Sequence, residues 1–419
     1  MENLLLQAIY DQKEELRKYS SDKGWIIREQ EKCLNVESKL AQIVIGVRRS
    51  GKSTLAHRAL KDRNYGYLNF DDERLIHISS EQLTILLQYI LQVYGDIQYL
   101  FLDEVQNISN WHLFVNRLLR SDMHIVITGS NSKLLSGELA THLTGRYSSV
   151  ELFPFSFREY IHFKKIDANN LSTKNKALLE NAFETYLKQG GFPEIVKGEE
   201  NAQTYISALF NSIIMRDIFY RYSIQHTKSF KDVALYLVNN FGHEISFNRI
   251  KNIFGVGSEN TVKNYVSYLE EAYIVLTLQK FSFKKQESLR YRKVYLMDSG
   301  FASVLSTNFS INSGYLLENI VFLELLRRRQ FDQTEIYYYK QTYEVDFVVV
   351  KNGNVEELIQ VCENLEIPKT LNREIRALES SSIDLKCEKL TIISRSKKDL
   401  MEINGKKINL IPIIDWLLR

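Results

Sequence analysis

The chain is 419 residues long, 44% apolar and 25% charged, which fits a globular protein of about two to four domains. Its 54 basic and 51 acidic residues leave a net charge of +3, too balanced to argue for nucleic acid from the total, so any DNA-binding face has to be local. Cys33, Cys362 and Cys387 form no CxxC knuckle, and nothing approaches the roughly 18 apolar residues of a membrane span, so a reduced, cytoplasmic protein with no membrane segment is expected.

In chain order, the first segment with recognisable chemistry is IVIGVRRSGKSTL, residues 43–55. Gly46 to Ser53 read GxxxxGKS, the P-loop pattern. Ile43–Ile45 precede it as a buried strand would, and Thr54, Leu55 and Ala56 open a helical pattern. Strand, glycine loop and helix are what phosphate binding needs. Gly46 and Gly51 let the backbone of Val47, Arg48, Arg49 and Ser50 wrap an anion, and the helix N-terminus points its positive end at it. Lys52 would reach the β- and γ-phosphates of ATP, and Ser53 would ligate Mg2+.

A strand over 66–70 and a helix come next, then YLFLDEVQNISNW. Its apolar run Tyr99–Leu102 ends in Asp103, placed to hold the Mg2+ shell, and Glu104, placed to polarise the attacking water. HIVITGSN follows as another strand, ending at the sensor-1 position. Ser130 and Asn131 compete there to contact the γ-phosphate or the water; Ser130 is preferred, and a plain helix N-cap is the alternative. A helix over 132–143 and the sequence TGRY lead to a last strand over 149–152. Arg146 lies between them, where an arginine finger would reach a neighbouring subunit's ATP, or where a local ion pair would close a helix.

GVRRSGKSTL, LFLDEVQNISNW, ITGSNSKLLSGELATHLTGRY, ELFPFSFREY and YLKQGGFPEIV together resemble the prokaryotic AAA+ ATPases that carry a C-terminal domain of unknown function. The resemblance covers essentially the whole chain. It implies an α/β protein with an N-terminal helical segment and AAA+ core over 1–155 and a helical lid over 156–228. A winged helix over 229–300 and a PD-(D/E)xK-like domain over 301–419 would follow. It also implies assembly into a ring such as a hexamer. No sensor-2 arginine stands around Gly190–Glu194.

The segments behind the core agree with that order. Helical periodicity fills 156–235, broken at Gly190-Gly191. Three amphipathic helices and two β-like runs follow over 230–298, the order of a winged helix-turn-helix. Residues 248–298 hold nine Lys/Arg against five Asp/Glu. Arg249, Lys251, Asn260, Lys263 and Asn264, with Lys284, Lys285, Arg290 and Arg292 from the hairpin, are the candidate DNA contacts. A winged helix used only for packing is the other reading.

In the last segment a helix offers Glu318 and a strand offers Asp346. The next strand has Gln360-Val361-Cys362 where a metal-dependent nuclease needs Glu-x-Lys. A neutral amide ligates Mg2+ poorly and a thiol supplies no ammonium, so a nuclease shape without cleavage is expected; Lys340 or Lys351 are the possible substitutes. The sequence therefore points to an ATPase, with ATP and Mg2+ as ligands and DNA as partner. The alternative is a nucleotide-controlled switch acting on a protein.

Overall fold

The computed structural model describes residues 2–20, 25–75, 78, 82–132, 143, 145–284, 291–306 and 312–419. They form two compact units. One comprises Met1–Phe153 with Glu271–Tyr273, the other Pro154–Glu270 with Ile274–Arg419.

The first unit is built on a parallel sheet. Its strands are β1 (Ala41–Ile45), β2 (Tyr65–Asn69), β3 (Tyr99–Asp103), β4 (His124–Gly129) and β5 (Tyr147–Glu151), in the order β2-β3-β4-β1-β5. β1 and β3 are buried at every position, which is why they read as unbroken apolar runs rather than alternating ones. Ala56, Leu60, Tyr67, Tyr99, Phe101 and Val126 form a core cluster in this unit, and each large side chain there contributes about 1.5–3 kcal/mol by leaving water.

Four described helices accompany the sheet: α1 (Glu2–Ser20), α2 (Lys52–Leu60), α3 (Leu83–Tyr94) and α4 (Trp111–Arg120). Gln12 of α1 donates to the Asn69 carbonyl (3.1 Å) and accepts from the Asn69 amide (2.9 Å). It thereby satisfies backbone groups of the edge strand β2 that would otherwise stay unpaired. Residues 133–142 of the helix expected over 132–143 lie outside the described residues.

The second unit begins with helices Phe157–Phe163, Thr173–Gln189, Pro193–Lys197 and Ala202–Ser212. Ser156 and Glu159 close a reciprocal capping box on the first of these. The break at Gly190-Gly191 has a steric cause. Gly190 has φ +78°, and a Cβ on it would overlap the Asp298 carboxylate; one on Gly191 would overlap the Phe155 carbonyl. Beyond Ser212 the chain widens into a π-helix over Ile213–Phe219, which 3.6-residue periodicity gives no means of anticipating.

Helices Thr227–Asn239, Phe247–Phe254 and Glu259–Glu271 follow. With them goes an antiparallel sheet of β6 (Glu244–Ile245), β7 (Val275–Gln279) and β8 (Arg292–Leu296), in the order β6-β8-β7. Of the two β-like runs, residues 274–283 and 291–296, the paired strands take the shorter stretches Val275–Gln279 and Arg292–Leu296. The helix Ser313–Asp332 comes next and is buried on nearly every side from Leu316 to Arg327. The chain ends in a six-stranded sheet of β9 (Glu335–Lys340), β10 (Glu344–Lys351), β11 (Asn354–Cys362), β12 (Leu390–Ser394), β13 (Asp399–Ile403) and β14 (Lys406–Pro412). Its order is β13-β14-β12-β11-β10-β9, with β11-β12 and β12-β14 parallel and the other pairs antiparallel. Helices Pro368–Leu385 and Ile413–Leu417 complete it. Among the described residues no helix is long and apolar enough to cross a membrane.

Candidate nucleotide site and a second ion cluster

Because β1, β3 and β4 are parallel neighbours, their C-terminal ends lie along one edge of the sheet. That edge gathers the P-loop after β1, Asp103 and Glu104 at the end of β3, and Ser130 after β4. The loop geometry depends on its glycines. Gly46 has φ +148° and a Cβ there would overlap the Leu152 carbonyl oxygen; Gly51 has φ +93°. Lys52, 4% exposed, donates from Nζ to the Val47 carbonyl (3.1 Å) and lies 3.7 Å from Glu104 Oε1. Ser50 is fully buried and its Oγ has no hydrogen-bond partner. A buried hydroxyl without a partner is costly, and here it lies within a loop made for an anion, so the residues fit a bound phosphate. Arg48 faces Asp71 at 3.4 Å, and Arg49 takes a left-handed turn at φ +66°.

The two candidate Mg2+ residues, Ser53 and Asp103, lie side by side. Ser53 Oγ donates to Asp103 Oδ1 at 3.0 Å. Two partners of Asp103 were missed by sequence reading: the Thr128 hydroxyl donates to Oδ1, and Tyr67 donates its hydroxyl to Oδ2 at 3.1 Å. Burial first, then the neighbouring Glu104 charge, push the Asp103 carboxyl up to about 6. At Glu104 burial acts in the same raising sense but is outweighed by the Lys52 charge, the Gln106 hydrogen bond, the Arg48 charge and the Ser130 hydrogen bond. Its carboxyl is held below the ordinary value.

Glu104 sits in a left-handed conformation, φ +52°, and its amide donates to Thr128 Oγ1 at 3.1 Å. Gln106, also missed from sequence, donates to Glu104 Oε2 and to Ser130 Oγ (3.2 Å). The candidate base and the candidate sensor are thus joined through one amide. Asn131 is buried beside Ser130, and Thr54 is half-buried on the first turn of α2.

Arg28, too, had no sequence signal. It is 4% exposed and donates to the Ser50 carbonyl (2.9 Å) and the Phe153 carbonyl (2.6 Å), bracing the P-loop from outside. Arg146 is exposed, and its carbonyl accepts from the Ala41 amide at the start of β1. The P-loop lies at the other end of that strand, roughly 15 Å away at about 3.3 Å per residue. Arg146 is therefore remote from its own P-loop.

In the second unit, Arg249, Asn260, Lys263 and Asn264 are exposed and Lys251 is half-buried on the two helices Phe247–Phe254 and Glu259–Glu271. Lys263 pairs with Glu259 at 3.1 Å. Arg292 is half-buried and turned to Glu270 at 3.7 Å, and Lys284 is exposed. Lys285 and Arg290 lie outside the described residues.

Glu318, Asp346 and Gln360 come together in a cavity of about 590 Å³, also lined by Lys293, Glu344 and Glu374. Of the two lysines considered from sequence, Lys351 is exposed at the end of β10, and Lys340 pairs with Glu244 (2.8 Å) and Glu344 (3.0 Å). The lysine at the centre is Lys293 of β8. It is 3 Å or so from two carboxylates: 3.1 Å from Glu318 and 2.6 Å from Glu344, with Asp346 at 3.6 Å. Burial, which opposes its charge, is outweighed by Tyr295 and the carboxylates Glu318, Asp346 and Glu344, so its ammonium is held well above the usual range. Burial and then Glu318 push the Asp346 carboxyl well above its usual value.

With Lys293 seated among the carboxylates a nuclease-type divalent cation does not fit here, and the Gln360-Val361-Cys362 stretch offers it no side-chain ligand. Gln360 Oε1 accepts from the Asp346 amide (2.7 Å), while Nε2 donates to the Glu344 carbonyl (3.1 Å) and to Glu374 (2.5 Å). Turning the amide over would set donor against donor and acceptor against acceptor, so its oxygen stays committed. Burial, first, and then Glu374 raise the Cys362 thiol to about 11, so it offers no thiolate. Among the described residues no group of three or more His, Cys, Asp or Glu is placed to hold a metal.

Residues 38–161 match the family described as an AAA domain, and this segment is an AAA-type P-loop core. Residues 180–311 and 313–415 match two domains of unknown function, DUF8612 and DUF4143. An uncharacterised protein of Methanocaldococcus jannaschii is 37% identical over 395 residues, covering 90% of this chain and 88% of its own. An uncharacterised protein of Haemophilus influenzae is 30% identical over 400 residues, covering 91% and 95%. A Walker-type ATPase of Pyrococcus abyssi is 15% identical and overlays with a TM-score of 0.42, covering 67% of this chain and 96% of that one. A signal transduction ATPase with numerous domains from Pyrococcus horikoshii gives 14% and 0.29, covering 74% and 48%. Overlays this loose carry no structural argument.

Proposed function

We infer that this chain, which belongs to one family with its archaeal and bacterial relatives and itself carries an AAA domain followed by DUF8612 and DUF4143, binds ATP with Mg2+ and hydrolyses it. The observation that carries the reading is the meeting of Ser53 with Asp103, and of Lys52 with Glu104, beside the glycine loop. Gly46 to Gly51 and the α2 N-terminus cradle the phosphates, with Thr54 on the first turn of that helix. Lys52 turns from the Val47 carbonyl to the β/γ-phosphates. Ser53 and Asp103 would hold Mg2+, which supplies charge neutralisation to the phosphates when bound. Glu104 polarises the water, and Ser130, with Asn131 as the other candidate, senses the γ-phosphate. Arg146, exposed and remote from its own loop, is read as a finger for the ATP of a neighbouring subunit in a ring, with a local ion pair as the other reading.

The three helices over 227–271 with the β6-β8-β7 sheet are read as a winged helix. Arg249, Lys251, Asn260, Lys263 and Asn264, with Lys284, Lys285, Arg290 and Arg292, are its candidate DNA contacts. Support comes from the exposed cluster on the two helices; the Arg292–Glu270 pair weighs against that one member. The C-terminal sheet is read as a nuclease shape that does not cleave, with Glu318, Asp346 and Gln360 as its remnant.

The test is steady-state ATP turnover with duplex, single-stranded and four-way-junction DNA across a salt series. Stimulation by one form, lost steeply as salt rises, supports action on DNA. Turnover that ignores every DNA moves the reading to a nucleotide-controlled switch for a protein partner.

A further inference from the structure

We propose that the Lys293 ammonium is the resident cation of the C-terminal cavity, filling from β8 the place between Glu318 and Asp346 and so excluding a divalent metal. The proposal rests on contacts within the second unit and is independent of the ATPase reading. It also stands whether or not the six-stranded sheet descends from a nuclease.

The geometry of the carboxylates carries it. Glu318 Oε1 accepts from both Lys293 Nζ (3.1 Å) and the Tyr295 hydroxyl (2.6 Å). Asp346 Oδ2 accepts from the Val361 amide at 2.8 Å, leaving Oδ1 toward Lys293. Glu344 is shared between Lys293 and Lys340. The carboxylates that a metal would need thus face an ammonium already in place. Lys293 itself is 2% exposed. A buried ammonium persists only when paired and hydrogen-bonded, and removing it would leave uncompensated carboxylates.

The origin of the lysine gives the cluster a second consequence. Lys293 belongs to the middle strand of the β6-β8-β7 sheet, whereas Asp346 and Glu344 belong to β10. Lys340 of β9 reaches back to Glu244 of β6. The two sheets are therefore pinned by ion pairs running in both directions. A tethered ammonium serves as a fixed counter-ion there, one that chelation cannot remove.

The experiment is Mn2+ binding to the nucleotide-free full-length protein, followed by electron paramagnetic resonance, for wild type, Lys293→Ala, Glu318→Gln and the double variant. The expected result is no tight Mn2+ site in wild type and no change with Glu318→Gln. Lys293→Ala gains a tight site, and adding Glu318→Gln abolishes it. A tight wild-type site lost in Glu318→Gln would overturn the proposal, as would a folded Lys293→Ala that gains none. Should Lys293→Ala not fold, wild type against Glu318→Gln still decides: equal Mn2+ binding upholds the proposal and a loss refutes it. Because the assay uses no nucleotide and reads a Glu318-dependent difference, a failure of the P-loop reading leaves it intact.

Discussion

Replacing Asp298 by Asn isolates the cost of one buried charge. Asp298 is 3% exposed and accepts from the Gly191 and Gly300 amides, each at 2.8 Å, so it ties the Gly-Gly break to the helix Ser299–Leu305. Burial raises its carboxyl from 3.8 to about 6 despite those amides and the Arg327 charge. A folded-state value above the unfolded one means the folded chain holds the extra proton. Its contribution is full below the unfolded value and is lost as pH rises through about 6. At about 1.4 kcal/mol per pH unit, the 3.8-to-6 gap corresponds to roughly 3 kcal/mol, of which about 2 falls between pH 4.5 and 7. Asn cannot titrate, though it forfeits one amide contact at about 1–3 kcal/mol at every pH. Urea unfolding of both proteins at half-unit pH steps should show wild type losing roughly 2 kcal/mol relative to Asp298→Asn between pH 4.5 and 7. A stability difference flat across that window would refute the reasoning.

Gly46→Ala should abolish nucleotide binding, because its Cβ meets the Leu152 carbonyl, a backbone atom that cannot swing away. Equilibrium binding of a fluorescent ATP analogue checks this, and wild-type affinity in the variant would count against the loop geometry. Arg146→Ala should keep binding and lose about 10³-fold or more in turnover if it is a finger. Mixing it with Glu104→Gln should restore part of the activity, since one subunit type keeps the finger and the other the base. No recovery on mixing, with mixed assemblies verified, would argue against action between subunits.

What the sequence revealed and what it hid divide by range. The positions of the P-loop, Asp103, Glu104 and Ser130 along one sheet edge were readable because each is set by its neighbours: an apolar strand, then a glycine loop or polar residue at its end. Tyr67, Thr128, Gln106 and Arg28 escaped notice because their roles depend on which strand lies beside which. The order β2-β3-β4-β1-β5 brings Thr128 and Tyr67 to either side of Asp103, and no local pattern marks that. Lys293 was missed for the same reason, since it stands 53 positions before Asp346 and in a strand of a different sheet. Gln360 and Cys362 were visible in the sequence; the lysine beside Glu318 and Asp346 was not. The π-helix over Ile213–Phe219 was hidden by its own nature, as its apolar residues read as an ordinary helix.

The central claim is hydrolysis of ATP by Glu104 at the edge where β1, β3 and β4 end. The most direct measurement is single-turnover ATP hydrolysis by wild type and Glu104→Gln at saturating Mg2+ and enzyme. The account predicts equal nucleotide binding and a loss of about 10²–10⁴-fold in the rate of the chemical step. An unchanged rate in Glu104→Gln would contradict it.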